Sequence, residues 1–267
     1  MAGVAAALVL AGCQVPTFDG YRGSTSQGHD EFKLYAGTVI AGIVIGVFVA
    51  ALIFWSVIRY RKRSDEMPRQ FQYHIPLEIT YTIVPIVIVL VIFVFTVLTE
   101  DRMTAVAKSP DLKVTVTAFQ WGWRFDYPRH VTVTGETTVD PDPIGLNGGQ
   151  CAPTADCLGP GLVLPAGQTT TITLVSNDTV HGFYVPKFNL SRYAQPGYDQ
   201  QRFDLTPLQV GVYRAQCTQL CGLYHSLMLF HVVVLPPDQF RTWLTGQATL
   251  TSASTSHSST SHQEAAA

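Results

Sequence analysis

A pair of membrane-spanning helices followed by a small all-β domain is the fold class this sequence predicts, and three observations carry the prediction. Leu34 to Ile58 contains no charge and Leu77 to Leu98 only Glu78 near its start; both runs exceed the roughly 20 apolar residues that a helix needs to cross a bilayer. Arg59, Arg61, Lys62, Arg63 and Arg69 crowd between the two runs, which is how a cytoplasmic loop is marked. Beyond residue 111 the chain turns to short segments rich in Val, Thr and aromatics, separated by Pro, Gly, Asn and Asp, the pattern of strands and turns. Charged residues are only 13% of the chain against 47% hydrophobic, with a formal net charge of -2, so no basic field for nucleic acid is present.

The chain divides accordingly. Residues 1-13 read as an export segment: Ala5 to Val9 is apolar and leads into Leu10-Ala11-Gly12-Cys13, which resembles the lipobox of bacterial lipoproteins and makes Cys13 the candidate lipidation site. No Lys or Arg precedes the apolar run, a departure from the usual basic start of a signal peptide. Residues 14-33 form an outer arm and residues 34-98 the hairpin, with both termini expected on the outer face of a bacterial plasma membrane. A buried soluble helix is the alternative for each span, disfavoured by length and by the flanking charge. Glu78, two residues after Pro76, fits a helix start, where Pro and a carboxylate are both favoured.

Residues 99-247 are expected to form a Greek-key sandwich or barrel, with strands over Leu112 to Ala118, Thr169 to Asn177, Gly211 to Cys217 and Met228 to Leu235. A Pro/Gly-rich insertion at 140-161 interrupts it. Cys151 and Cys157 lie in this insertion with no histidine nearby; a disulfide is the expectation for an oxidising compartment, a second metal site the alternative. Phe119, Trp121, Trp123, Phe125 and Tyr127 alternate with Gln120, Gly122, Arg124 and Asp126, so one ideal strand would put five rings on one face. Core packing is the ordinary meaning of such a stripe, while a bend at Gly122 would release a tryptophan to the surface. Residues 248-267 are a Ser/Thr/His-rich tail of disordered composition.

The chemistry is concentrated in Cys217-Thr-Gln-Leu-Cys221-Gly-Leu-Tyr-His225-Ser-Leu-Met228. Two thiols, an imidazole and a thioether in twelve residues make a soft-metal site, and a methionine tilts the choice towards copper, since zinc seldom recruits a thioether. His181, in Thr179-Val180-His181-Gly182-Phe183-Tyr184-Val185-Pro186, supplies another imidazole. On spacing alone a structural zinc or a Cys217-Cys221 disulfide remain alternatives.

Four motifs together (C-T-Q-L-C-G-L-Y-H-S-L-M, H-G-F-Y-V-P, F-Q-W-G-W-R-F-D-Y-P and L-E-I-T-Y-T-I-V-P) resemble subunit II of the haem-copper cytochrome c oxidases, over residues of about 30 to 245. The resemblance implies a cupredoxin-like barrel carrying a binuclear copper centre, CuA, in which Cys217 and Cys221 bridge the metals. His181 and His225 would each cap one copper, with Met228 and the Gln219 carbonyl as weak axial ligands. It implies that electrons from a c-type cytochrome enter at Trp121, leaving Trp123 to the packed face, and that docking uses apolar contact with a carboxylate rim drawn from Asp126, Asp140, Asp142, Asp178 and Asp199. It associates Glu78 with the cytoplasmic mouth of a proton channel. The implied partners are subunits I and III and the membrane lipid; haem and oxygen chemistry would belong to the partner subunit, because this chain has no C-x-x-C-H.

Some positions depart from the family pattern. Gln219 stands where the family has glutamate, and an amide is a poorer magnesium ligand than a carboxylate, which weakens the case for magnesium at the subunit interface. Tyr193 and Tyr198 replace an acidic residue and an arginine around the Pro-Gly turn. Rival readings are a quinol oxidase subunit, against which the full ligand set argues, a membrane-tethered copper-binding protein without turnover, and a zinc-stapled structural protein.

Overall fold

The structure is a computed structural model and describes residues 17-18, 20-63, 67, 70-136, 161-198 and 201-248. Cys13, Asp140, Asp142, Cys151, Cys157, Asp199 and the tail beyond 248 lie outside these residues, as does Arg69 of the basic loop. Two compact units emerge, one holding Glu31–Asp101 and the other Tyr21–Asp30 with the chain from Arg102 onwards.

The first unit is helical. Helix α1 spans Ser26–Arg59 and α2 spans Ile75–Thr104, about 50 and 45 Å long at the α-helical rise. Both are long and apolar enough to cross a membrane, and most of their apolar side chains are exposed in the single chain, as lipid or a partner helix would require. α1 begins at Ser26 rather than near Leu34: the polar turn ahead of the apolar run is still helical, because a helix does not have to stop where hydrophobicity does. α2 opens on a reciprocal cap. The Leu77 amide donates to His74 Nδ1 at 3.3 Å and the His74 amide donates to Glu78 Oε1 at 3.0 Å, so two amides of the helix start find acceptors.

The second unit is a sandwich of two five-stranded sheets. Its strands are β1 (Leu112–Phe119), β2 (Gly122–Tyr127), β3 (Val131–Glu136), β4 (Gly161–Pro165), β5 (Thr170–Ser176), β6 (His181–Val185), β7 (Leu190–Ala194), β8 (Gln201–Leu205), β9 (Gly211–Cys217) and β10 (Leu229–Leu235). One sheet runs β3-β2-β1-β5-β8 and the other β4-β10-β9-β6-β7. The chain passes from the first sheet to the β6-β7 hairpin, back to β8, and over again to β9-β10, the crossing pattern of a Greek-key sandwich. Alternation places Val114, Val116 and Ala118 of β1 and Ile172 and Leu174 of β5 inside, while Lys113, Thr115 and Thr173 face out. Between the sheets Trp123, Phe183 and Phe230 meet at ring separations of 4.7 to 5.8 Å. Burying each such ring stabilises by about 2-3 kcal/mol.

One expectation is corrected. The five-ring stripe is not one strand: β1 ends at Phe119, the chain reverses at Gln120-Trp121, and β2 starts at Gly122 with Phe119 paired to Gly122. A glycine is needed there, since a Cβ would meet the Gly135 carbonyl at 2.6 Å. Trp123, Phe125 and Tyr127 are buried on one face of β2, while Trp121 sits half-buried in the turn. Tyr127 ties the sheets together, its hydroxyl accepting from the Val163 amide at 2.7 Å and lying 3.2 Å from the Val163 carbonyl; burial raises its pKa well above the ordinary value, outweighing the hydrogen bond. A short helix over 237-248, α3, was not expected from the sequence; it packs Phe240 into the core and Trp243 edge-on against Tyr127 at 5.1 Å.

Candidate metal centre

Two hairpins deliver the donors. β6 begins with His181, and β9 ends with Cys217 one strand away, Phe183 pairing with Cys217. The loop from 218 to 228 is closed at its base by the Cys217 amide donating to the Met228 carbonyl at 2.9 Å, and pinned to β6 by the Thr218 amide donating to the Gly182 carbonyl at 3.1 Å. Inside it, a single 3-10 turn over His225–Leu227 aims the histidine back towards Cys221. Gly182 is demanded by this closeness: a Cβ there would overlap the Thr218 side chain and stand 2.9 Å from the amides of Thr218 and Gln219.

Cys217 and Cys221 are free thiols with sulfurs 3.8 Å apart, so the disulfide alternative is not what the chain forms. His181 Nδ1 lies 4.0 Å from Cys217 Sγ and His225 Nδ1 3.5 Å from Cys221 Sγ. Met228 Sδ is 3.8 Å from Cys221 Sγ, and the Gln219 carbonyl 3.3 Å from Cys217 Sγ. The ligand atoms of His181, Cys217 and Cys221 all lie within 4.8 Å of one another, and all three residues are buried. The expected ligands His181, Cys217, Gln219, Cys221, His225 and Met228 are thus brought together.

The electrostatics ask for a cation. Burial works to raise the Cys217 thiol, but hydrogen bonds from His181, the Gly182 amide and neighbouring groups outweigh it and bring the pKa down to about 7. Burial and then the adjacent Cys217 thiolate push Cys221 up to about 12. One proton leaves readily and the second is held, because two thiolates cannot share a dry pocket without positive charge between them. Burial lowers His181, but the hydrogen bonds with Cys217 and Asp178 raise it to a net value above the ordinary one. Two sulfurs, two imidazoles and a fully buried thioether are a soft set that fits copper better than a tetrahedral zinc site.

Around the donors stand residues whose contacts motif reading missed. Asp178, expected on a docking rim, accepts from His181 Nε2 at 2.7 Å and from the amides of Gln120 and Thr179, each at 2.7 Å. Burial of its carboxyl is outweighed by these bonds, which hold its pKa below the ordinary value. Gln120 Nε2 and Trp121 Nε1 both donate to the Cys221 carbonyl, at 2.7 and 3.2 Å, and Trp121 meets Tyr224 edge-on at 4.9 Å. Gly222, at φ +118, keeps the loop flat under this indole, with its virtual Cβ 3.0 Å from Trp121 Cζ2. About a hundred residues separate Gln120 and Trp121 from Cys221 in sequence, which is why no spacing revealed these two contacts. Glu78 belongs to the helical unit and serves there in the α2 cap.

Comparison with known proteins gives the family. The family model for the periplasmic domain of cytochrome c oxidase subunit II matches residues 112–235, and the model for its transmembrane domain matches residues 21–98. The cytochrome c oxidase subunit 2 of Mycobacterium tuberculosis (strain H37Rv) is 33% identical over 83% of this chain and 72% of its own length. The probable subunit 2 of Mycobacterium leprae is 36% identical over 83% of this chain and 74% of its own. Among solved structures, the periplasmic domain of subunit II of cytochrome oxidase from Bradyrhizobium japonicum aligns with a TM-score of 0.45 at 22% identity, covering 54% of this chain and 98% of that one. With both its membrane segment and its β domain matched, this membrane protein belongs to the cytochrome c oxidase subunit II family.

Proposed function

We propose that the chain is the electron-accepting subunit of a cytochrome c oxidase, taking electrons from a c-type cytochrome and passing them to haem in subunit I, where oxygen is reduced to water with proton translocation. Cys217 and Cys221 would bridge two copper ions, His181 and His225 would each cap one, and Met228 and the Gln219 carbonyl would complete the set. The copper pair, when bound, supplies a one-electron redox couple. The single observation that carries this reading is the convergence of two imidazole Nδ1 atoms on two free thiols 3.8 Å apart, with a buried thioether beside them.

The surrounding residues do the rest. Asp178 fixes the His181 tautomer by accepting a hydrogen bond from Nε2–H, leaving Nδ1 for the metal. Closure of the loop on β6 and β10 keeps the donors in place, so little has to move when charge changes. Exposed Leu220, Leu223, Tyr224 and Leu227 around the loop supply an apolar face for the donor cytochrome, with Trp121 at its edge joined to Cys221 through one hydrogen bond. Arg59, Arg61, Lys62 and Arg63 favour a cytoplasmic loop, which puts the β domain on the outer side. Cys13 remains the proposed lipid attachment site, Cys151 with Cys157 a proposed disulfide, and the boundaries 1-13, 14-33, 34-98, 99-247 and 248-267 the proposed division of the chain. No magnesium role is assigned to Gln219.

The test is to purify the full chain in detergent, load it with copper, and measure metal stoichiometry and the paramagnetic resonance spectrum. Two coppers with one unpaired electron spread over both nuclei is the expected result. One copper per chain, or preferential filling by zinc, would sink the reading.

A further inference from the structure

The segment joining α2 to β1 runs across the outer face of the first sheet and closes a cavity of about 330 Å³ against it, at the low end of the size of small-ligand sites. The floor is a grid fixed by strand register. Lys113 pairs with Thr171 and Thr171 with Asp204; in the next row Thr115 pairs with Thr173 and Thr173 with Arg202. Lys108 adds a third cation from the linker. Side chains at these positions point away from the core, because their neighbours Val114, Ile172 and Phe203 fill it.

The charges do not balance locally. Asp204 accepts from the Thr171 hydroxyl at 2.6 Å and the Ala107 amide at 2.7 Å, the latter holding the linker down, and lies beyond ion-pair distance of the three cations. Asp126 is taken by Arg124 and Thr132, and Asp111 by the Thr169 amide. Among the described residues, Lys108, Lys113 and Arg202 have no carboxylate within 4.0 Å. Three cations around one cavity, with the Thr115 and Thr173 hydroxyls on its floor, match a tetrahedral oxyanion with several acceptor oxygens better than a single carboxylate.

We propose that this cavity binds a phosphate group. Its two sources are the headgroup of an anionic lipid and free inorganic phosphate. The headgroup is favoured by chain reach: Lys108 follows the last residue of α2, Thr104, by four residues, at most about 14 Å of extended backbone, and α2 is long enough to span the bilayer. The site does not depend on the copper reading.

The oxidase complex carrying the full chain is purified and exchanged into nanodiscs of phosphatidylcholine with or without phosphatidylglycerol, and retained lipid is counted by mass spectrometry. Inorganic phosphate is titrated separately by phosphorus NMR. For a headgroup site, wild type retains phosphatidylglycerol selectively, inorganic phosphate does not displace it, and Lys113→Gln with Arg202→Gln lowers retention by about tenfold per cation removed. For a free-phosphate site, phosphate binds saturably, the same variant weakens it to the same degree, and added salt weakens it further. Lys113→Arg should preserve binding in either case. Lys187→Gln, the loss of one charge in the turn between β6 and β7, should change nothing. Unchanged circular dichroism and thermal unfolding would show the variants folded. Failure of both probes to bind wild type, or equal binding by wild type and the double variant, would overturn the proposal.

Discussion

Asp178 accepts a hydrogen bond from Nε2 of His181 at 2.7 Å, while the other ring nitrogen of that fully buried histidine faces Cys217 Sγ. A carboxylate three residues ahead of a ligand thereby sets which nitrogen is free to bind metal. Asp178→Asn keeps the size but offers an amide that can present either its oxygen or its NH2. Copper affinity of the purified chain is expected to fall by about 10 to 100-fold, read by competition with a chelator, with the fold intact by circular dichroism. Unchanged affinity would mean that packing alone orients the ring.

Loop closeness sets a second expectation. Gly182→Ala places a methyl against the Thr218 and Gln219 backbone, and backbone cannot rotate away as a side chain tip can. A loss of about 1-3 kcal/mol is expected, with a broadened copper spectrum, since the displaced segment carries Cys217 and Gln219. Thermal unfolding of the copper-free and loaded forms separates the two effects: the loaded form should lose more.

Trp121 joins the proposed docking face to the metal loop through one hydrogen bond to the Cys221 carbonyl and an edge contact with Tyr224. Trp121→Leu removes both without touching a thiol or an imidazole. The copper spectrum should stay as it is, while the second-order rate of reduction by a c-type cytochrome falls by about 30-fold, the cost of losing an aromatic anchor that docking would bury. A reduction rate equal to wild type would move electron transfer to another part of the loop.

The paired thiols predict how copper uptake varies with pH. At a pH between about 7 and about 12 the copper-free centre holds the Cys217 proton off and the Cys221 proton on, so loading must release the Cys221 proton. Affinity should therefore rise with pH through this range. Below about 7 the slope steepens, because Cys217 must also be deprotonated, and His181, raised above its ordinary value, adds its own proton. Calorimetry in buffers of different ionisation enthalpy counts the protons; a release that does not change across pH 7 would contradict the assigned order.

How far these features could be read in advance depends on where their partners lie. The spans and the donors of the 217 to 228 loop were legible because each is local: length and lack of charge define a membrane helix, and twelve consecutive residues contain most of a site. The hairpin at Gln120-Trp121 was not, because alternation continues across the turn as though the strand had not reversed, and only pairing of Phe119 with Gly122 reveals the reversal. Gln120 and Gly222 act through contacts that form only when distant parts of the chain fold together, whereas Asp178 lies three residues ahead of His181 and its contact was missed because the sequence does not say which way its carboxylate turns. Helix α3 was hidden by its shortness and by its place after the last obvious strand.

Glu78 holds two roles apart by chemistry. As observed, its carboxylate accepts the His74 amide at the start of α2, a task that a neutral amide oxygen performs nearly as well. As a proton donor or acceptor at the mouth of a channel, a role proposed through the family, it would need to titrate. Glu78→Gln preserves the cap and abolishes titration, whereas Glu78→Ala removes both and is expected to cost the helix start about 0.5-2 kcal/mol. If the cap is the whole function, Glu78→Gln should assemble and turn over like wild type, with only Glu78→Ala lowering the yield of assembled oxidase. If protons pass here, both variants should slow steady-state oxygen consumption together, and Glu78→Asp should recover it in part. Measuring assembly and turnover on the same three variants decides between the roles, since the cap responds to hydrogen-bond capacity and the channel to charge.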